Sequence, residues 1–434
     1  MYYKISPSEA LQGDVKIPGS KSGTARGLIL GTLAGGTSHI LNPMPGVDSY
    51  SIAECCCALG AKVNTDNDAH WIVESPGYAG LKIPGAVLDV GNSGTGYYFL
   101  TTLAAMLPGK SVVTGDYQIC YRPIAPLLRA IREMGGKAVS TRDNELAPLM
   151  LEGPVEGGRT IHMPGKNVQW SIGLMVCCPL LTGDTRIVFD NLGERPYAAL
   201  TMDWMKAAGV EMINRDYEEF IIPGGQTYRP FTKKAPSDWC GASYPMVAAA
   251  VTKGSRIKLL DMDINDFQGE RMYVDIINRM GGHVEVLNGG RDGVIVEGGH
   301  PLHGIEIDCK DTPDAIPALA VLGCFAEGKT VLTNIEACRM KETDRCKTIV
   351  EELSKMGGRF EETPGTLTIY PSKLKGTALN GHHDHRIVMA STCAALAAEG
   401  ETIIDSVEHV SVSFPHFFEE MTHIGAKMVR LIEQ

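Results

Sequence analysis

Two kinds of glycine punctuation recur along this chain, six times each, and few folds accommodate that pattern. In the first kind an apolar, small-residue stretch ends in Gly followed by Thr, Ser or a charged residue, and a strand-like run begins. It occurs at Gly36-Thr37, Gly109-Lys110-Ser111, Gly183-Asp184-Thr185, Gly254-Ser255, Gly328-Lys329-Thr330 and Gly400-Glu401-Thr402. In the second an amphipathic stretch ends in Gly before a short β-rich run. Its copies are Leu59-Gly60-Ala61, Met134-Gly135-Gly136, Ala208-Gly209-Val210, Met280-Gly281-Gly282, Met356-Gly357-Gly358 and Ile424-Gly425-Ala426. Both series return every ~70 to 75 residues, as a supersecondary unit copied along a chain does. Glycine at such points supplies the left-handed residue that closes a helix. Each copy therefore reads helix, strand, helix, strand or strand pair, and the fold class is α/β with six like units.

A chain of 434 residues exceeds what one core usually supports, so two domains of about 200 residues are expected. Three units in each place the boundaries near residue 19 and in Lys233-Lys234-Ala235-Pro236-Ser237, a basic, Pro-bearing stretch without periodicity. Residues 1-19 plus 236-434 then form one domain and 20-235 the other. A double crossing of this kind makes a hinge, and the active site is expected in the cleft that it closes.

At 44% hydrophobic and 21% charged the composition is that of a soluble globular protein. No apolar run reaches the roughly 18 to 20 residues of a membrane helix, and Met1-Tyr2-Tyr3-Lys4 leads into strand-like sequence, not a signal peptide. The twelve cysteines lie mostly in apolar stretches, Cys55-Cys56-Cys57 among them, with no C-x-x-C pair. They read as buried reduced thiols in a cytoplasmic protein. A net charge of −11 argues against a nucleic-acid partner, yet basic residues gather at Gly-rich turns and can focus a small anion locally.

Six segments could carry chemistry. Pro18-Gly19-Ser20-Lys21-Ser22 through Arg26 opens an apolar helix, where free N–H groups and the Lys21 charge suit an anion. The same residues read equally as a capped helix with a solvated lysine, and the P-loop spacing is absent. Asp89-Val90-Gly91-Asn92-Ser93-Gly94-Thr95-Gly96 is a backbone nest for phosphate or a tight strand-to-helix turn. Tyr121-Arg122-Pro123 leaves Arg122 outside a helix start, where a solvated arginine is the commoner outcome. Arg339-Met340-Lys341-Glu342-Thr343-Asp344-Arg345 carries five charges directly after the strand-like Val331 to Ile335, at the end where α/β sites gather. Gly381-His382-His383-Asp384-His385-Arg386 precedes an apolar helix. Adjacent ligands on one turn cannot all reach one ion, so an acid/base or anion role for His385 and Arg386 is the more economical reading. Asp311-Thr312-Pro313-Asp314 caps the helix from Ala315 or supplies a carboxylate to the same chemistry.

Together, P-G-S-K-S-x-x-x-R, G-N-S-G-T, R-P-I, D-x-P-D, K-E-T-D-R and D-H-R, in this order over essentially the whole chain, resemble the enolpyruvyl transferases. Within them the branch acting on shikimate 3-phosphate is the nearer, because the catalytic cysteine of the UDP-sugar branch would fall at Tyr117, and Cys120 is too close to Arg122 to replace it. The resemblance implies two domains, each of three βαβαββ units. It also implies transfer of the carboxyvinyl group of phosphoenolpyruvate to a shikimate-type acid, within aromatic amino acid biosynthesis. No metal or organic cofactor is implied; the partners are the small anionic substrates, and the chain is expected to be a monomer. Lys21, Gly94, Arg122 and Gln169 would hold phosphoenolpyruvate, with Arg345 and Arg386 on its carboxylate. Ser22, Arg26, Gln169, Tyr197, Asp314 and Lys341 would hold the acceptor. Lys21, Asp314, Glu342 and His385 would be catalytic.

The chain departs from that pattern inside the site. Three serines that would bind the acceptor phosphate read Asn167, Val168 and Glu194, and two donor-side cations read Tyr98 and Val412. A Glu194 carboxylate ~4 Å from a phosphate would be repelled by roughly 4 kcal/mol at an effective dielectric near 20. An alternative acceptor is therefore a cyclohexene carboxylic acid without the phosphate, such as shikimate, handled by enolpyruvyl transfer or by dehydration.

Overall fold

The computed structural model describes residues 1–431. The chain divides into two compact units, Gly19–Pro236 and Met1–Pro18 with Ser237–Gln434. Each unit holds three four-stranded sheets. In Gly19–Pro236 they are built on the inner strands Gly35–Leu41, Lys110–Thr114 and Thr185–Asp190, and in the other unit on Arg256–Leu260, Thr330–Thr333 and Thr402–Ile404.

All six sheets share one strand arrangement, and in three of them the chain follows it without interruption, the other three borrowing one strand from a distant segment. An edge strand lies parallel to the inner strand, as Leu88–Asp89 does to Lys110–Thr114, and a helix crosses between them because parallel neighbours cannot be joined by a hairpin. A second helix then leads to an outer strand and an antiparallel inner one, here Lys137–Ser140 and Leu149–Glu152. The two helices differ in kind. Ala125–Glu133 buries Leu127, Leu128, Ala130 and Ile131 and turns Arg129, Arg132 and Glu133 to water, the amphipathic stripe of a surface helix. Ile316–Cys324 is buried on every face, as its sequence IPALAVLGC, with no polar residue, requires. Five more helices are buried along nearly their whole length: Lys21–Leu33, Gly94–Met106, Gln169–Cys177, Trp239–Val251 and His385–Ala397.

The punctuation is visible in the backbone. All six glycines of the second series are left-handed, from Gly209 at φ +79° to Gly60 at φ +108°. In the first series Gly36, Gly183, Gly254, Gly328 and Gly400 have positive φ, and Gly109 does not. A Cβ on Gly109 would meet only the end of the exposed Ile83 side chain, which can turn away, so the backbone does not require glycine there.

Two segments differ from their sequence reading. The strand-like sequence entered at Met1-Tyr2-Tyr3-Lys4, read as one segment to about Ile17, is two strands in different sheets: Tyr2–Ser6 pairs antiparallel with Thr402–Ile404 and Lys427–Leu431, whereas Gln12–Lys16 runs parallel to Arg256–Leu260. Thr232–Lys234, at the edge of the stretch read as aperiodic, is an edge strand parallel to His39–Leu41. Three residues are too few to display an alternation, so its partner's ladder defines it. All twelve cysteines are free thiols and ten are buried.

Candidate active site

Most buried helices begin with a polar side chain folded back on their first turn. Ser20 Oγ accepts from Gly23 N at 3.3 Å, Ser93 Oγ from Gly96 N at 3.1 Å, Asp238 Oδ1 from Cys240 N at 3.0 Å and Asp384 Oδ1 from Arg386 N at 3.0 Å. These caps leave other first-turn N–H groups and the positive end of the helix dipole available to anions.

In the unit containing Ser237–Gln434 the charged segments converge on Arg345, the first residue of the helix Arg345–Lys355. Its side chain is 1% exposed. Nη1 donates to Asp314 Oδ1 at 2.6 Å, Nε to Asp384 Oδ2 at 2.8 Å and Nη2 to Asp384 Oδ1 at 3.2 Å, and Nη2 also meets Glu342. Lys341 Nζ stands 3.9 Å from Asp314 Oδ1, and Arg386 Nη2 3.6 Å from Asp314 Oδ2. Three carboxylates therefore face three cations, with Asp314, Asp384, Arg345 and Arg386 buried and Lys341 and Glu342 half-buried. Asp314 lies within the short turn Pro313–Ala315, and its carboxylate serves the arginines and Lys341. Burial alone would raise its carboxyl, but Lys341, Arg386 and Arg345 outweigh that and hold it well below the usual carboxylate range. Lys341, Glu342 and Arg345 of the Arg339–Arg345 segment are thus turned inward, unlike an exposed helix face, and Asp344 stays partly exposed.

The three histidines at the start of the helix His385–Ala397 diverge. His382 Nε2 meets Glu352 Oε1 at 2.6 Å, the His383 ring packs edge-on to His409 with centroids 4.8 Å apart, and His385 is 1% exposed with Nδ1 3.9 Å from Asp384 Oδ1. Val412 is buried at the end of the turn Val407–Val412.

The Gly19–Pro236 unit holds the other candidates in small groups. Lys21 Nζ donates to the buried Asp48 Oδ2 at 3.0 Å. Arg26 is fully buried: Nε donates to Thr201 Oγ1 at 2.9 Å, Nη1 to the Ser22 carbonyl at 2.8 Å and Nη2 to the Tyr197 carbonyl at 3.1 Å. Burial pulls its guanidinium down to about 10, yet it stays charged at neutral pH, with three of its five donors used. Arg122 is buried, not solvated, and lies on the first residue of Gly94–Met106, where a Cβ on Gly94 would come within 2.2 Å of Arg122 Nη1. Gln169 opens its helix with Asn167 Oδ1 accepting from its backbone N at 2.9 Å, and its own Oε1 has no hydrogen-bond partner among the described residues. Tyr98 is buried, its hydroxyl 3.4 Å from the Pro123 carbonyl.

Glu194 corrects the charge argument made from sequence. It is fully buried, and its Oε2 accepts from Val168 N at 3.2 Å, at the N-terminal end of Gln169–Cys177. That hydrogen bond and the helix dipole offset part of the carboxylate's charge, so a nearby phosphate would face less than the bare charge assumed from sequence.

Two members of these groups carried no role in the sequence reading. Asp384 was visible only as part of D-H-R, and Asp48 had no local signal; both are recognised by the cations they hold.

Solved structures place the whole fold. The chain superimposes on the enolpyruvyl transferase NikO from Streptomyces tendae with a TM-score of 0.78 at 20% identity, covering 99% of this chain and 98% of that one. It does so on the EPSP synthase from Acinetobacter baumannii with a TM-score of 0.82 at 26% identity, covering 99% of both. The architecture is that of the enolpyruvyl transferases. The family model described as EPSP synthase (3-phosphoshikimate 1-carboxyvinyltransferase) matches residues 5–421. Relatives named 3-phosphoshikimate 1-carboxyvinyltransferase are 42% identical in Acetivibrio thermocellus, over 98% of this chain and 99% of the relative, and 39% in Methanocaldococcus jannaschii, over 98% of each. The chain belongs to the EPSP synthase family.

Proposed function

We propose that the protein transfers the carboxyvinyl group of phosphoenolpyruvate to a hydroxyl of shikimate 3-phosphate and releases phosphate. The observation that carries this reading is the buried cluster around Arg345, with three carboxylates and three cations at one point. The reaction needs both kinds of group. Protonation of the methylene carbon of phosphoenolpyruvate makes the neighbouring carbon electrophilic, and the acceptor oxygen bonds there as its proton passes to a base. The new methyl group then gives up a proton as the C–O bond to phosphate breaks.

Arg345 and Arg386 suit the substrate carboxylate, which a planar guanidinium can grip through two parallel hydrogen bonds. As that carboxylate engages the arginines, Asp314 loses cations that suppress its basicity and becomes able to take a proton. Asp314 and Glu342 thus serve as the proton-transfer carboxylates, with His385 beside them and Lys21 as the further catalytic cation. Lys21, Arg122 against Gly94, and Gln169 bind the phosphate end of phosphoenolpyruvate. Ser22, Arg26, Gln169, Tyr197, Asp314 and Lys341 hold the acceptor.

The test is phosphate release from phosphoenolpyruvate with shikimate 3-phosphate and plain shikimate in parallel. Rapid release with the phosphorylated acid is expected, and silence with it would sink the reading. Asp314→Ala should lower kcat by roughly 10²- to 10⁴-fold while leaving substrate binding largely intact. Unimpaired turnover would remove Asp314 from proton transfer.

A further inference from the structure

A fourth carboxylate stands behind the Arg345 cluster. Glu270 is 3% exposed, in the short turn Gly269–Met272. The preceding residues are stitched to the start of the buried helix Trp239–Val251: Gln268 Oε1 accepts from Trp239 N at 3.0 Å, and Gln268 Nε2 donates to the Ser237 carbonyl at 2.9 Å. That stitching fixes where Glu270 lies. A carboxylate oxygen of Glu270, Cys240 Sγ and a carboxylate oxygen of Asp314 all fall within 4.8 Å of one another, and all three residues are buried. Glu270 Oε1 has no hydrogen-bond partner among the described residues.

The charge balance makes this arrangement informative. Asp314, Glu342 and Asp384 already match Lys341, Arg345 and Arg386. An ionised Glu270 would be a surplus buried anion, and burial of such a charge without a counterion is resolved by holding the proton. The groups facing it are Cys240 and its neighbour Asp238, Tyr273 on its own segment, Asp314 and Arg386. Burial pushes the Cys240 thiol and the Tyr273 hydroxyl far up, so both stay neutral. Burial and then the Asp314 charge push the Glu270 carboxyl up to about 7, with Arg386 and hydrogen bonds from the Cys240 thiol and Glu270's own backbone pulling the other way without cancelling them.

The geometry points to Glu270 as a positioning residue for the transfer reaction: as a neutral acid it backs Asp314 and leaves Arg386 to the substrate carboxylate. Once ionised it repels Asp314 and competes for Arg386. This inference rests on the transferase reading above and goes beyond it in giving the site a proton that never reaches substrate. The expected signature is a KM for phosphoenolpyruvate that rises above neutral pH.

The experiment compares wild type with Glu270→Gln, which is neutral at every pH, over pH 6 to about 9. Substrate ionisation cancels in the ratio of their kcat/KM values. That ratio, variant over wild type, should climb by roughly ten- to a hundred-fold across the range, mostly through KM. A flat ratio, or one that moves only in kcat, overturns the proposal. Thermal unfolding is the second readout and needs no turnover. A raised folded-state pKa gives stability that is full below the unfolded value and is lost as pH rises through the folded one. The Tm of Glu270→Gln relative to wild type should therefore increase between pH 5 and 8, and a constant difference overturns the claim that Glu270 holds a proton. Glu270→Met, neutral and of similar length, repeats both arms if the glutamine variant does not fold. Absence of any transfer by wild type would defeat the functional reading itself, and the unfolding arm would still decide the protonation state of Glu270.

Discussion

Asp384 shows how one side chain serves two purposes at once. Its Oδ1 caps the helix His385–Ala397 through Arg386 N, and the same carboxylate receives two donors of Arg345 and the Thr343 hydroxyl. Asparagine is as good a cap but carries no charge. Asp384→Asn should therefore keep the helix and loosen Arg345, raising the KM for phosphoenolpyruvate by about tenfold or more, since a lost charge-assisted bond is worth ~1.5–3 kcal/mol. Steady-state kinetics with circular dichroism separates this from unfolding; an unchanged KM would mean that Asp314 and Glu342 suffice to seat the arginine. Gly94 poses the reverse case, an atom that must be missing. Gly94→Ala puts a methyl group 2.2 Å from Arg122 Nη1, so the guanidinium must move. The KM for phosphoenolpyruvate should rise at least several-fold with the fold intact, and a crystal structure of the variant should show Arg122 displaced.

Among the elements, the buried helices are the demanding ones. Gln169–Cys177 runs so close to Gly94–Met106 that a Cβ on Gly173 would sit 2.2 Å from Thr102 Oγ1 and 2.6 Å from the Tyr98 carbonyl. Alanine raises intrinsic helix propensity by up to ~1 kcal/mol over glycine, whereas overpacking a tight core costs ~1–3 kcal/mol. Gly173→Ala should accordingly destabilise, visible as a lower urea midpoint with unchanged slope; a gain in stability would show that the two helices can separate freely. The sequence displays these helices as apolar stretches opening on polar residues. It does not display which helix starts meet, because each start is local and the meeting is made by strands paired far apart in the chain. Tyr2–Ser6, for example, pairs with Thr402–Ile404.

For the whole molecule, the proposed function predicts a linkage between ligands and stability. Each substrate that binds the folded chain alone should raise its stability by about 2.7 kcal/mol at a hundred times its dissociation constant. Thermal scans with phosphoenolpyruvate, shikimate 3-phosphate and plain shikimate should therefore show the larger shift for the phosphorylated acid. An equal shift for the two acids would mean that the phosphate is not recognised. Cys240 and its nine buried companions should stay unreactive toward thiol reagents until the chain opens, because burial disfavours the thiolate.

The sixfold α/β repeat was legible from the sequence because glycine at a left-handed position is a local requirement, met by the residue whatever surrounds it. The family motifs were legible for a similar reason, since they cluster at strand-to-helix turns where the backbone itself dictates glycine, serine or proline. The partners of those motifs needed the tertiary structure. Glu194 looked like a charge set against a phosphate, yet it is buried on Val168 N; Arg122 looked solvated, yet it lies on Gly94. Asp48, Asp384 and Glu270 are ordinary acids in the sequence and acquire meaning only beside Lys21, Arg345 and Asp314. The physical reason is common to all of them. Burial and opposing charge depend on which distant segments fold together, and one strand's sequence holds no record of its neighbours.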